Sequence, residues 1–195
     1  MGPVLARADE GDKRSAILAA ALDLFVERGY YGTAVPAVAE RAGVGAGTIY
    51  RYFKSKEDLV NELYRQCKAQ LSMHVLVGIS ADAPPREQFH QLWARLADFF
   101  RRNQGTFSFL ELHHHASYLD AESRAMEQRV LDLATSFITR LQAARVVKPI
   151  SPDVIMAIVY WSFVGLGRCA QEGRLILGDE NLAAAEQCIW EAIRL

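Results

Sequence analysis

The apolar positions of this 195-residue chain recur at helical spacing almost from end to end. From Asp12 onward, Ile17, Leu18, Ala21, Leu22, Leu24 and Phe25 fill one broad stripe, with Asp12 placed to cap its start and Gly29 to stop it. A short second helix follows. Thr33 is its expected cap, and Pro36 falls in its first turn, where a missing N–H costs little. Val35, Val38, Ala39 and Ala42 form its inner face, and Gly43 ends it. Residues 43–46 connect to a third short helix, about 47–53, with Ile49 and Phe53 one turn apart on its inner side. Ser55-Lys56-Glu57-Asp58 then reads as a capping-box-like start with acids in the first turn. It opens a long helix with Leu59, Val60, Leu63, Tyr64, Cys67, Leu71 and Val75 on one side.

Residues 78–85 are the clearest loop, and helical patterns resume at about 86–102, 105–117, 121–145, 152–171 and 180–195. Gly105, Asp120 as a cap, and Ser151-Pro152 as N-cap and first helical residue mark their boundaries, while Gly173 and Gly178 bracket the last connection. Alternating β-rich segments are nearly absent, Arg174–Leu177 being the single ambiguous stretch, and the chain has no internal repeat. The expected fold is all-α, with about nine helices.

Composition changes this picture little, but charge changes it more. Hydrophobic residues make up 51% of the chain, enough for a core. The formal net charge of −1 argues against a protein that coats nucleic acid by bulk charge. The charges are unevenly spread, however. Residues 13–56 hold seven cations (Lys13, Arg14, Arg28, Arg41, Arg51, Lys54, Lys56) and three anions (Asp23, Glu27, Glu40), a balance of +4 that leaves −5 for the rest. Such asymmetry points to a nucleic-acid or membrane contact confined to one part. Cys67, Cys169 and Cys188 lack the spacing of a zinc site or redox pair, which suits a reducing cytosol. No signal peptide is expected, Gly2 fits a myristoylation pattern poorly, and the longest apolar run, 154–167 between Asp153 and Arg168, falls short of the about 18 residues of a membrane span. A soluble cytoplasmic protein without membrane partners is expected.

The two short helices at 33–53, joined by a tight glycine-containing turn, form a helix-turn-helix candidate. Its second helix would turn Ile49 and Phe53 inward and show Ala46, Gly47, Thr48, Arg51 and Tyr52 to a major groove. Free N–H groups at that helix's start, and Lys54 and Lys56 just beyond its end, suit phosphates. Blander readings exist for each: Tyr50 as a half-buried core tyrosine, Lys54 and Lys56 as solvated charges, Arg51 paired with Glu40 or Glu57, Gly47 as a loop glycine.

The run Gly29-Tyr30, then Thr33 through Val44, then Gly45-Ala46-Gly47-Thr48-Ile49-Tyr50-Arg51-Tyr52-Phe53-Lys54-Ser55-Lys56-Glu57-Asp58-Leu59, resembles the DNA-binding head of the tetracycline-repressor (TetR) family, over about residues 13–60. The resemblance implies a bacterial homodimeric repressor, nucleoid-associated when bound to a palindromic double-stranded operator and released by a small-molecule effector. It implies a three-helix helix-turn-helix head at 1–55 and a larger helical ligand-binding and dimerisation body at 56–195. Carried over by residue, Thr33, Thr48, Tyr50 and Lys56 match phosphate-gripping positions, and Ala46, Gly47, Arg51 and Tyr52 match groove-facing ones. Gly45 and Ala46 depart from the family pattern, where Ser and a Lys or Arg are frequent, so Arg51 would carry more of the base reading.

The body is rich in large apolar side chains. Trp93, Phe109, His113, His114, Phe137, Tyr160 and Trp161 are the candidate lining of a pocket for a largely apolar or aromatic effector. His113-His114-His115 turn by about 100° per residue on a helix and cannot converge on one metal, while Glu111 and His114 make only one Glu-x-x-His. No metal, cofactor or catalytic residue is expected. An all-α enzyme, or a metal- or pH-responsive sensor using this run, is the alternative. The last two helices are the dimer candidates, through Val164, Gly165, Gly167, Leu182, Ile189, Trp190 and Ile193; the same residues could instead cover the chain's own core.

Overall fold

In a computed structural model, residues 10–80, 82–113 and 117–195 are described. Among them the chain is helical without named strands. The helices are α1 (Glu10–Gly32), α2 (Val35–Arg41), α3 (Ala46–Tyr52), α4 (Lys56–Leu76), α5 (Pro85–Arg102), α6 (Gln104–His113), α7 (Ala121–Ala143), α8 (Pro152–Gln171) and α9 (Asp179–Ile193). Arg174–Leu177 is non-helical connection. Two compact units divide the chain: unit 1 takes residues up to Lys68 with Gly105–Ser123, and unit 2 takes Ala69–Gln104 with Arg124–Leu195.

Unit 1 is built on the buried face of α1. Ile17, Leu24 and Phe25 are enclosed with Val38 of α2, Ile49 of α3, Phe53 behind it, and Leu59, Val60 and Tyr64 of α4. Phe109 of α6 joins this core, its ring centroid 6.1 Å from that of Phe25. Gly29 adopts φ 68°, a left-handed value that glycine reaches without a Cβ clash, and the bend returns Tyr30 onto Phe25 with ring centroids 6.0 Å apart. Gly43, at φ 65°, ends α2 in a paired turn: Val44 N–H donates to Ala39 O at 2.9 Å and Gly43 N–H to Glu40 O at 3.1 Å. Ser55 Oγ accepts Asp58 N–H at 3.1 Å, and the Asp58 carboxylate accepts Lys54 N–H at 2.8 Å, so the start of α4 is capped from both sides. The expected cap of α2 is corrected here. The capping position is Ala34, which offers no side-chain oxygen, because Thr33 is turned into the core.

Unit 2 packs an aromatic ridge of α5 against α8 and α9. Trp93 meets Phe163 edge to face at 5.3 Å and donates its indole N–H to Leu182 O at 3.0 Å. Phe89 lies 5.3 Å from Trp190. Glu186 of α9 is buried, its carboxylate held by Arg86 and by His90 Nδ1 (2.9 Å), both on α5. A burial of this kind requires such partners, since an unpaired carboxylate in a core is strongly unfavourable. Asp120 caps α7 by accepting Ser123 N–H at 2.7 Å.

Helix α8 contains a π-helical turn at Ala157–Trp161, a local insertion that shifts which side chains face inward beyond it. Counted to its ends, α8 is long and apolar enough to cross a membrane by length and composition, with mean hydropathy 1.4. The shorter apolar run in the sequence stopped at Asp153 and Arg168, which such a window tolerates. Only 22% of that window is buried. Val154, Ala157, Trp161 and Gly165 are exposed along it.

Gly167 faces the other way: a Cβ there would lie 2.9 Å from the Phe100 ring, whereas one on Gly165 would meet nothing within 4 Å. Gly167→Ala is expected to destabilise the fold by about 1–3 kcal/mol through overpacking, with Gly165→Ala tolerated, as urea unfolding followed by circular dichroism would measure.

Candidate nucleic-acid interface

Helix α3 is seven residues long and presents two unlike faces. Ile49 is buried, as is Phe53 one turn on, and this fixes the helix's rotation. Ala46, Gly47, Tyr50 and Arg51 are then exposed, followed by Lys54. Ala46, Gly47, Tyr50 and Arg51 recur at i, i+1, i+4 and i+5, one outward stripe, and Lys54 follows past the extended Phe53 at the helix's end. The stripe is small at its start and becomes polar and cationic toward its end. Tyr50 is 56% exposed, so its hydroxyl is open to a partner. The Arg51 guanidinium lies 5.7 Å from the Tyr52 ring centroid, which orders it along the helix. Thr48 is half-buried, its N–H donating to Gly45 O at 2.8 Å.

Two expected contact residues sit differently. Thr33 is only 2% exposed, its hydroxyl 2.8 Å from Gly29 O and 3.0 Å from Leu24 O. It therefore holds the end of α1 in place and offers nothing to a phosphate. Tyr52 is half-buried and its hydroxyl is enclosed without a hydrogen-bond partner, so only the ring edge is available outward.

The positive charge of the head is partly committed within it. Arg41 grips Glu27 with two bonds of 3.0 and 3.1 Å, and Arg14 reaches Glu62 at 2.6 Å while lying over the Phe53 ring. The Arg41 guanidinium, by hydrogen bond first and charge second, holds the Glu27 carboxyl below its ordinary range. Lys54 has no ion pair among the described residues. The Lys56 ammonium lies 4.1 Å from the Tyr30 ring centroid, and burial lowers its pKa against the opposing pull of Glu57. Tyr31, 85% exposed beside the start of α2, is an outward aromatic that the sequence reading passed over; its place between two glycines, Gly29-Tyr30-Tyr31-Gly32, was the available signal.

The body residues are dispersed. Trp93 and Phe109 are closed off inside their own units' cores. Phe137 is half-buried, and Tyr160 and Trp161 pair edge to face at 5.6 Å on the π-turn of α8. His114 and His115, with the side chain of His113, lie outside the described residues. None of the candidate pocket residues lines the groove found in unit 2. That groove, of about 270 Å3, runs between Ser72, Met73 and Leu76 of α4 and Met126, Arg129 and Leu133 of α7. The dimer candidates also need correction. Val164, Gly167, Leu182, Ile189, Trp190 and Ile193 are buried within unit 2, where Phe100, Trp93 and Phe89 of α5 lie against Gly167, Leu182 and Trp190; Gly165 alone is exposed.

A short buttressed helix with a polar, cationic outer stripe, entered by a glycine turn from a second short helix, defines a helix-turn-helix DNA-binding transcriptional regulator. A family model described as bacterial regulatory proteins, tetR family, matches residues 17–63, and one described as tetracyclin repressor-like, C-terminal domain, matches 55–195. The chain belongs to the TetR family of transcriptional regulators. It is similar to the HTH-type transcriptional regulator YhgD of Bacillus subtilis, with 25% identity over 157 residues covering 80% of this chain and 82% of that one. It also resembles the HTH-type transcriptional repressor KstR2 of Mycobacterium tuberculosis, with 31% identity over 119 residues, 60% of this chain and 54% of that one. A solved TetR-family structure from Vibrio parahaemolyticus superposes with a TM-score of 0.76 at 28% identity, covering 94% of this chain and 99% of that one. One from Marinobacter aquaeolei shares the fold, with a TM-score of 0.85 at 22% identity over 95% and 97% of the two chains.

Since the Thr33 hydroxyl serves the head's own backbone, Thr33→Val should cost about 1–3 kcal/mol of stability. The salt dependence of DNA binding by the folded fraction should stay unchanged. Thermal unfolding beside a salt titration of affinity checks both.

Proposed function

We propose that this regulator is a cytoplasmic, homodimeric repressor that binds a palindromic operator through α3 and is released from it by a small, largely apolar effector. The observation that carries the DNA reading is the outward stripe of α3, with Ile49 and Phe53 buried behind it. In this reading Tyr50, Lys54, Lys56 and Thr48 hold phosphates, while Ala46, Gly47, Arg51 and the Tyr52 ring edge face the groove. Arg51 is the long side chain among the groove-facing residues with donors for a guanine edge. The similar KstR2, a transcriptional repressor, supports the sign of regulation.

The apolar effector reading draws support from the α4–α7 groove. Met73, Leu76, Met126 and Leu133 supply apolar surface, and Arg129 also lines the groove and offers donors to a polar group. The domain division proposed is a reader at 1–55 and a sensor and dimerisation body at 56–195. The exposed apolar face of α8, with Val154 and Trp161 each 47% exposed, is the proposed centre of the two-fold interface, joined by exposed Ala184 and Cys188 of α9. A second copy, and not a lipid bilayer, is its partner in this reading.

Binding to an operator fragment should weaken steeply with salt, and Arg51→Ala should narrow the gap between correct and altered half-sites by about 1–3 kcal/mol. Full retention of specific binding in a folded Tyr50→Ala/Lys56→Ala variant would refute the assignment. In light scattering at micromolar concentration, the wild type should show twice the chain mass and Trp161→Glu should show a single chain's mass; a wild-type monomer sinks the dimer.

A further inference from the structure

Lys56 is held by a chain of contacts that begins at a residue far from it in sequence, Tyr118. Its ammonium sits over the Tyr30 ring. That ring stacks on Tyr118, with centroids 4.0 Å apart and planes inclined by 24°, and its hydroxyl donates to Glu57 Oε1 at 2.6 Å. Tyr118 lies in the short segment between α6 and α7, and the segment is itself pinned. Asn61 of α4, 2% exposed, donates Nδ2–H to the Tyr118 carbonyl and to the Glu57 carbonyl, both at 2.8 Å. Its Oδ1 accepts Asp120 N–H, also at 2.8 Å. Arg65, one turn further along α4, bonds Asp120 at 2.9 Å. All of these residues belong to unit 1.

Each contact has a separate physical consequence. The Asn61 amide uses both of its ends, so the segment at 118–120 has one seating on α4 and not several. That seating sets where the Tyr118 ring lies, and the stack leaves Tyr30 little freedom to tilt. A ring with a fixed orientation presents a fixed negative face to a cation. A lysine stem is otherwise among the most mobile of side chains, and ordering it before association lowers the entropy cost of the contact it makes.

We propose that Tyr118, seated by Asn61, is a positioning residue for DNA binding: it fixes the Tyr30 ring and through it holds Lys56 ready for a backbone phosphate. The inference rests on Lys56 being a phosphate contact. Neither Tyr118 nor Asn61 touches DNA in it; both act through Lys56.

The test is operator affinity of the full-length chain measured across a salt series. Lys56→Ala should make the plot of log affinity against log salt shallower by about 0.9, the share of one phosphate. Tyr118→Ala should make it shallower by a large part of that amount and lower the affinity several-fold, in a protein shown folded by circular dichroism. Tyr118→Phe, which keeps the stack, should retain the wild-type slope. The Tyr118→Ala/Lys56→Ala double variant should equal Lys56→Ala alone, because the two residues act as one unit. A lost slope is a reading that general destabilisation does not produce in the folded fraction. A shallower Lys56→Ala slope beside an unchanged Tyr118→Ala slope, or additive losses in the double variant, overturns this inference alone. An unchanged Lys56→Ala slope overturns the phosphate reading of Lys56 and this inference with it. If Tyr118→Ala fails to fold, Tyr118→Leu, which keeps bulk without an aromatic face, takes the same readings.

Discussion

Helices of seven residues do not persist in water by themselves, and α3, the second helix of the helix-turn-helix, is one of them. It exists because Ile49 and Phe53 are buried in the core of the same unit, with α2 packed on α3 and Arg14 of α1 over the Phe53 ring. That burial does two things at once. It supplies the free energy that the helix lacks, and it sets the rotation about the helix axis. With about 100° per residue, the burial of Ile49 leaves no choice about where Ala46, Gly47, Tyr50 and Arg51 point. The direction of the outward stripe is thus a by-product of core packing. The left-handed turn at Gly43 completes the arrangement by setting how α2 leads into α3.

Polar groups inside the two cores act as registers more than as sources of stability. Thr33 and Asn61 in unit 1, and Trp93 and Glu186 in unit 2, each tie a backbone or side-chain partner on another segment. An apolar residue at any of these sites would forfeit those bonds, so each site penalises alternative seatings of the segments it joins. Unit 1 also holds α6 and the segment to Ser123, because Phe109 fills the space beside Phe25 and Asn61 anchors residues 118–120.

Helix positions were legible in the sequence because periodicity and punctuation agree: Gly43, Ser55 and Asp120 each stand at an observed boundary or cap. The inner face of α4, from Leu59 to Val75, was legible for the same reason. Side-chain direction next to a helix start was not. A threonine before an apolar run reads equally as a cap or as a core hydroxyl, and Thr33 is the second. The stripe of Leu182, Ile189, Trp190 and Ile193 is legible as apolar, but a stripe carries no label saying whether its cover is the same chain or another; here it is buried in its own chain, with Trp190 on Phe89 of α5. The Tyr118–Tyr30 stack joins residues far apart in sequence, and no local pattern announces it. The π-turn of α8 likewise has no single-residue signature.

The internal ion pairs of the head, Arg14 with Glu62 and Arg41 with Glu27, bear on how the protein finds its target. Cations already matched to carboxylates displace few counterions from a polyanion, so these two add little to a bulk electrostatic grip. Under the proposed operator reading, encounters with random sequence would be brief, and discrimination would fall to how long the side chains of α3 delay departure.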